Sequence, residues 1–502
     1  MKSPRFLFYI TPIFLLYNVH AQTAGNKKAR EILLKTSLML GSGWDTVRSV
    51  KVQGYGTHFL VDQSERYEGP YISDQFTRAL TFDVQNNRAL AEYQVTTDYF
   101  GPSPATTFIL DNGDIARKDG DKLSATPPDD ELQDQILFRP DYLVKTALNN
   151  VSLIFQKDTV LQKKPVWILH FSISGFPVRL FINKETNLLT ATEVVKPHPG
   201  NFGIVWGDVR KMIYYSFWVL PSANVHYPAQ EDVYLNDYYL ETYLATQVDI
   251  NMPFSRDSLL AIPENIKAES RDFDRKTLDI FKKSMDAKAK EIAKDVWVIP
   301  GPCNTTVVKQ NDGLVAIESS LSSEYGEAII QEVKKIFPGE KIKAFIATSD
   351  AWFHLGGIRA FAALNIPIYF PYLNKPLLEK VLHAPYITHP DSLAIKKYHS
   401  YSLHEVKNMV TIGNGDNTIR LCPYKTETGD RMMMVYFPLH KILYCSDLYQ
   451  PKGGDGKYWQ PHYAWEVYHS IKEYKLPVKK FYAMHQANLI DFSDLEKDFA
   501  GQ

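Results

Sequence analysis

Two rhythms of apolar and polar residues divide the chain. From about residue 45 to 260, short alternating runs recur between turn residues: 50–59, 89–95, 106–110, 166–173, 178–182, 209–218, 231–235 and 238–250. A period of two buries one face of each run, so these read as strands of an antiparallel sheet. Asn236-Asp237 separates the last two runs and predicts a tight hairpin. Helical spacing in this half is confined to 26–39 and 129–149. The expected fold of residues 25–262 is a curved antiparallel β half-barrel over one or two helices.

Residues 263–294 are charged, with one apolar stripe through Leu278, Phe281, Met285 and Ile292. They read as a linker that becomes an amphipathic helix. From residue 295 strand and helix patterns alternate. Strands are expected at 296–299, 314–318, 342–348, 368–370, 432–437, 442–445 and 480–484, and helices at 327–337, 357–364 and 464–474. This is the grammar of an α/β layered domain over 295–502. The whole chain is therefore expected to be α+β, with two domains.

The extreme N-terminus has a different character. Lys2 and Arg5 precede an apolar stretch at 6–17, and Val19-His20-Ala21 offers small residues at the cleavage positions. That pattern predicts a signal peptide over 1–21, too short to span a hydrocarbon core of about 30 Å. The mature chain is expected in the periplasm or secreted, with no transmembrane segment. A net charge of -1 in 502 residues excludes the basic footprint of a nucleic-acid binder. Cys303, Cys422 and Cys445 show no C-x-x-C spacing and form no disulfide framework. Fourteen His, in contrast, are an ample supply for a metal site.

Several landmarks after residue 295 stand in a telling order. A strand at 343–348 runs into Thr348-Ser349-Asp350-Ala351-Trp352-Phe353-His354-Leu355-Gly356-Gly357. Later come Tyr444-Cys445-Ser446-Asp447-Leu448 and Ala483-Met484-His485. These resemble the metallo-β-lactamase superfold, whose turn reads T-H-x-H-x-D-H-x-G-G. The resemblance implies an αββα sandwich and a metal-dependent hydrolase site. It also exposes losses: Ser349 and Ala351 stand for two His, Phe353 for the Asp, and Lys425 for the His of a later strand. His354, Asp447 and His485 survive as candidate ligands for a single zinc or iron ion. Asp447 and Lys425 are the catalytic candidates, Lys425 because its charge would stand where a cation sat. Asp350, four residues before His354, reads as a surface residue of the turn, with a replacement ligand as the alternative, and Cys445 reads as core.

Three functions stay open on this reading. One is a pseudoenzyme or binding module that keeps a hydrolase-like fold and no metal. Another is a mononuclear metal-dependent hydrolase using His354, Asp447 and His485. The third is a carrier. The cadence Gly207-Asp208, a strand at 209–218, Pro221, Tyr227-Pro228 and two strands ending at Pro253 resembles outer-membrane lipoprotein-sorting carriers. That resemblance implies a lipid or other small apolar ligand in the N-terminal domain.

Overall fold

The structure is a computed structural model describing residues 13–62, 66–97, 103–112, 114–126, 130–197, 205–252, 261–271, 288–396 and 400–500. The chain forms two compact units. The first comprises Met1–Phe59, Ser73–Lys196 and Arg210–Ser270, and the second Leu60–Ile72, Pro197–Val209 and Arg271–Gln502. Residues 1–12 of the expected signal peptide lie outside the described residues. Among the described residues no helix is long and apolar enough to cross a membrane.

The first unit is built on one 13-stranded sheet. Its strands are β1 (Ser49–Phe59), β2 (Ser73–Asp83), β3 (Arg88–Thr97), β4 (Thr106–Asp111), β5 (Asp114–Asp119), β6 (Lys122–Ala125), β7 (Ile154–Leu161), β8 (Lys164–Ile173), β9 (Phe176–Asn183), β10 (Leu189–Pro197), β11 (Asp208–Ser222), β12 (Val225–Leu235) and β13 (Tyr238–Ile250). β1 to β6 run outward as one meander and β13 back to β7 as another, and the two meet where β1 pairs with β13. Asn236 and Asp237 adopt φ of 48° and 72°, the left-handed pair that a two-residue hairpin requires. β2 escapes the alternation rule because it buries Arg78 beside Phe76, Leu80 and Phe82 on one face.

Among the described residues of this unit the α-helices are α1 (Ile13–Leu40), α2 (Asp130–Leu137), α3 (Pro140–Leu148) and α4 (Glu264–Arg271). The single helix expected over 129–149 is two. Pro140 lacks an N–H and opens a new helix at its first turn. Leu132 and Ile136 of α2 pack on Val50, Val52, Phe76, Leu80 and Phe82 of the sheet. The Tyr215 hydroxyl fixes the α2–α3 junction by donating to the Phe138 carbonyl at 2.6 Å.

In the second unit, a seven-stranded sheet contains β14 (Lys290–Ala293), β15 (Val296–Ile299), β16 (Thr305–Gln310), β17 (Gly313–Ile317), β18 (Ile342–Ile346), β19 (Ile368–Pro371) and β20 (Leu403–Val406). A six-stranded sheet contains β21 (Val410–Ile412), β22 (Ile419–Pro423), β23 (Met433–Phe437), β24 (Ile442–Tyr444), β25 (Lys480–Ala483) and β26 (Gln486–Asp491). Val315, Ile317 and Ile346 of the first pack against Leu421, Val435 and Tyr482 of the second in one core. Helices α5 (Ser323–Ile336), α6 (Trp352–Leu355), α7 (Ile358–Ala363), α8 (Lys375–Leu382) and α9 (Ser392–Ile395) follow strands of the first sheet. Phe361 of α7 stacks on Phe345 of β18 at 4.1 Å. The outer face of the second sheet is covered by α10 (Pro461–Glu473) and α11 (Phe492–Phe499). The layers are therefore helix, sheet, sheet, helix.

The amphipathic helix expected across the linker meets a correction at its end. Ile292 lies in strand β14, while Leu278, Phe281 and Met285 lie outside the described residues. Two segments from the N-terminal half are built into this second unit. Asp208 accepts hydrogen bonds from the backbone N–H groups of Ile387 and Thr388, at 2.6 and 2.9 Å, and Trp206 packs edge-on against Trp352 at 5.0 Å.

Candidate functional site

Parallel strands release their chains at the same edge of a sheet, where α/β proteins gather their functional groups. β17 and β18 are a parallel pair, and so are β24 and β25. Glu318 to Leu321 follow β17, and Thr348 to Ala351 follow β18 and lead into α6 with His354. Ser446-Asp447 and His485 follow β24 and β25. The loop after β15 adds Pro302 and Cys303.

The two sheets are joined at these ends. The Thr348 and Ser446 hydroxyls lie 2.7 Å apart, and Ser446 Oγ donates to the Thr348 carbonyl at 3.1 Å. Glu318, buried, accepts the Thr348 N–H. Burial pushes the Glu318 carboxyl up to about 8, against these hydrogen bonds. The two glycines after His354 are steric requirements. A Cβ on Gly356 would strike the Leu321 backbone, and one on Gly357 would strike the Ser319 side chain.

On this frame His354, Asp447 and His485 converge. His354 Nε2 lies 3.2 Å from Asp447 Oδ2, and His485 Nε2 lies 3.2 Å from Asp447 Oδ1. Gln450 Nε2 also donates to Asp447 Oδ1 at 2.9 Å. The far nitrogens of both rings are held by consecutive residues. His354 Nδ1 is 3.2 Å from Cys303 Sγ, and His485 Nδ1 is 3.0 Å from the Pro302 carbonyl. A ring whose Nδ1 is engaged in this way presents Nε2 as the ligand atom, the usual outer support of a metal-bound imidazole. The Pro302 carbonyl accepts, so His485 carries its proton on Nδ1 when neutral.

The electrostatics follow from the contacts. Burial alone would raise the Asp447 carboxyl, but the two imidazoles outweigh it and hold the group well below the usual carboxylate range. Burial would lower His485, and its hydrogen bond to Asp447 reverses the sign and raises it. Burial pushes the Cys303 thiol well above its ordinary value. His354 is buried and His485 exposed, so the cluster has one wall toward solvent.

Donors at about 2.0–2.1 Å from a tetrahedral zinc are separated by about 3.3 Å. The two nitrogen–oxygen separations of 3.2 Å equal such an edge and a hydrogen bond alike. The group of possible metal ligands among the described residues is Cys303, His354 and His485, with ligand atoms within 4.8 Å of one another, and Asp447 meets both rings at Nε2. One ring cannot offer Nδ1 and Nε2 to a single ion, so His354 must face either the Asp447 side or the Cys303 side. Cys303 is the residue sequence reasoning missed. It stands 51 positions before His354 and carries no spacing signal.

Other expectations are corrected. Lys425 does not enter the cluster: its side chain is half exposed, its ammonium pairs with Glu473 at 3.6 Å, and it rests over the Tyr474 ring. Asp350 is not a surface residue. It is buried, its Oδ2 has no hydrogen-bond partner among the described residues, and burial pushes its carboxyl well above the usual range, against the pull of Arg431. Ser349 and Ala351 are buried without ligand character, Ser349 Oγ accepting only the Ala351 N–H at 3.4 Å. Phe353 packs on the core between the sheets and sets its ring edge-on to His354 at 5.7 Å. Cys445 lies in the core under α10 and α11, as expected.

No protein-family model and no curated protein sequence matches the chain. Solved structures do. A metallo-β-lactamase from Pontibacter korlensis is 16% identical and covers 42% of this chain and 97% of its own, with a TM-score of 0.34. The stereoselective inverting sec-alkylsulfatase from Pseudomonas sp. is 13% identical over 42% of this chain and 40% of its own, with a TM-score of 0.32. Rubredoxin oxygen:oxidoreductase from Desulfovibrio gigas is 12% identical over 42% of this chain and 59% of its own, with a TM-score of 0.33.

Proposed function

We propose that the second unit is a metallo-β-lactamase-like domain that holds one divalent transition-metal ion through His354 Nε2, Asp447 and His485 Nε2, and acts as a mononuclear hydrolase. The observation that carries this reading is the convergence of two imidazole nitrogens on the two oxygens of one carboxylate, both at 3.2 Å. Two nitrogens and one oxygen leave a fourth position, as catalytic zinc sites do. When bound, such an ion supplies a polarising charge and an acidified water.

The chain's own groups then have defined parts. Cys303 and Pro302 orient the rings. Asp447 carries the negative charge that neutralises the ion, and its low pKa keeps it ionised throughout the working range. Exposed His485 forms the open wall, where substrate would enter. Phe353 offers no proton acceptor at the turn, so base chemistry falls to the bound water itself or to the substrate.

A second reading has its own observation. Asp447 is already satisfied by His354, His485 and Gln450, so a hydrogen-bonded His–Asp–His cluster is an alternative to a metal centre. That is the pseudoenzyme. Metal analysis of protein purified without chelator separates the two: about one equivalent of zinc or iron supports the hydrolase, and less than about a tenth defeats it. The N-terminal apolar segment supports export to the periplasm or beyond. A fusion of residues 1–25 to a reporter that is active only after export tests that, and retention in the cytoplasm would refute it.

A further inference from the structure

The loop that ends at Cys303 is built to hold its thiol still. Pro300, Gly301 and Pro302 lead into it, and a Cβ on Gly301 would strike the Tyr325 hydroxyl. Just beyond it, the Asn304 N–H donates to the Met484 carbonyl at 2.8 Å, and Asn304 Nδ2 donates to the Ala483 carbonyl at 3.1 Å. Cys303 is thereby tied to the strand end that carries His485. Its side chain is 1% exposed, and Sγ lies 3.2 Å from His354 Nδ1. Cys422 and Cys445, in contrast, are buried in the core under α10 and α11.

His354 is therefore a ligand with two usable ends. Nε2 faces Asp447 and Nδ1 faces Cys303. Whichever nitrogen takes an ion, the other keeps an outer partner. With Nε2 on the ion, Cys303 supports the ring from behind. With Nδ1 on the ion, Nε2 donates its proton to Asp447, the carboxylate–histidine–metal arrangement that steadies a bound imidazole.

The two sides differ in the kind of donor they add. One adds a carboxylate, which suits hard and borderline ions, and the other a thiol, whose thiolate selects soft ions such as Cu(I). The spacing allows the second mode. Thiolate and imidazole donors at about 2.3 and 2.0 Å from a zinc-sized ion stand about 3.6 Å apart. Sγ and Nδ1, at 3.2 Å, need part only slightly to reach that separation. Ligand atoms of Cys303, His354 and His485 lie within 4.8 Å of one another, and exposed His485 gives an ion its way in.

We propose that the cluster has a second, soft-metal mode: Cu(I) bound by Cys303 Sγ, His354 Nδ1 and one ring nitrogen of His485, with Asp447 serving as outer partner. Forming the copper–sulfur bond releases the thiol proton to solvent, and no electron is transferred. The two modes exclude each other because both use His354. This inference needs neither zinc binding nor hydrolysis, so it stands apart from the hydrolase reading.

Metal-free full chain, titrated anaerobically with Cu(I) against the chromophoric chelator bicinchoninate and in parallel with zinc, tests this. One equivalent of Cu(I) is expected, with sulfur among its nearest neighbours in copper-edge X-ray absorption. Cys303→Ser should weaken Cu(I) by more than about 100-fold and zinc by about tenfold, and Asp447→Asn should do the reverse. Because Cys303 is buried, circular dichroism checks the fold of Cys303→Ser, while the sulfur signal and the Asp447→Asn comparison leave Cys303 in place. Failure to bind stoichiometric Cu(I), a copper spectrum without sulfur, or unchanged Cu(I) affinity in Cys303→Ser would overturn the proposal. Loss of zinc binding alone, with Cu(I) still on sulfur, would sink the hydrolase and leave the soft-metal mode standing.

Discussion

The His354–Asp447–His485 cluster of the second unit and the buried charges of the first solve the problem of burying charge in opposite ways. Around Asp447 every donor has found its acceptor: two imidazoles and an amide converge on one carboxylate, and the far ring nitrogens rest on Cys303 and Pro302. In the first unit Arg78 Nε and Nη2 and Arg139 Nη1 are buried with no acceptor among the described residues, and burial pushes the Glu231 carboxyl up to about 7. The carboxyl groups register the difference. Asp447 is driven down by its partners, whereas Glu231 is driven up by burial.

The comparison breaks first at Asp447. Asp447→Asn should lower zinc affinity by more than about 100-fold, since it removes a direct ligand and even an outer-shell loss costs 10–100-fold. A competition titration against a chromophoric chelator reads this directly. Unchanged affinity would place the ion elsewhere.

Glu318 tests the burial side. Its folded pKa of about 8 lies above the unfolded value, so between about 4.5 and 8 the native state binds more protons. Stability from this group is therefore present at low pH and is lost as pH rises through that window. Glu318→Gln should flatten the dependence, raising denaturant stability at pH 8.5 by about 1 kcal/mol or more relative to the native chain and changing little at pH 4.5. An equal effect at both pH values would contradict the assignment.

Cys303→Ala is expected to cost about tenfold in zinc affinity while leaving one equivalent bound, as the loss of an outer support does. Complete loss of metal would promote Cys303 to a direct ligand. The smallest effect belongs to Lys425→Ala. Zinc content should not change, and stability should stay within about 0.5 kcal/mol, because the ammonium meets only Glu473 and Tyr474 at the surface.

How much of this was legible in the chain follows the reach of each signal. Strands with strict alternation, such as β13, could be placed, as could the hairpin at Asn236-Asp237, because period and turn chemistry are local. β2 could not, since Arg78 interrupts its apolar face and only Glu241, far along the chain, makes that tolerable. His354, Asp447 and His485 were legible only through the resemblance carried by the segments 348–357, 444–448 and 483–485, whose order along the chain is a local signal. Lys425 was misplaced because linear spacing does not say which way a side chain faces: Tyr424 turns inward at 3% exposure and Lys425 outward. Cys303 and Asp350 needed the folded cleft to become visible, one as a partner of His354 and the other as a buried acid.

The most direct test of the central claim is zinc-edge X-ray absorption on the metal-loaded full chain. The account predicts one zinc with nitrogen and oxygen ligands at about 2.0–2.1 Å, including two imidazoles, and no sulfur near 2.3 Å. A sulfur ligand would hand the site to Cys303, and failure to load stoichiometric metal would leave a His–Asp–His cluster that is no metal centre at all.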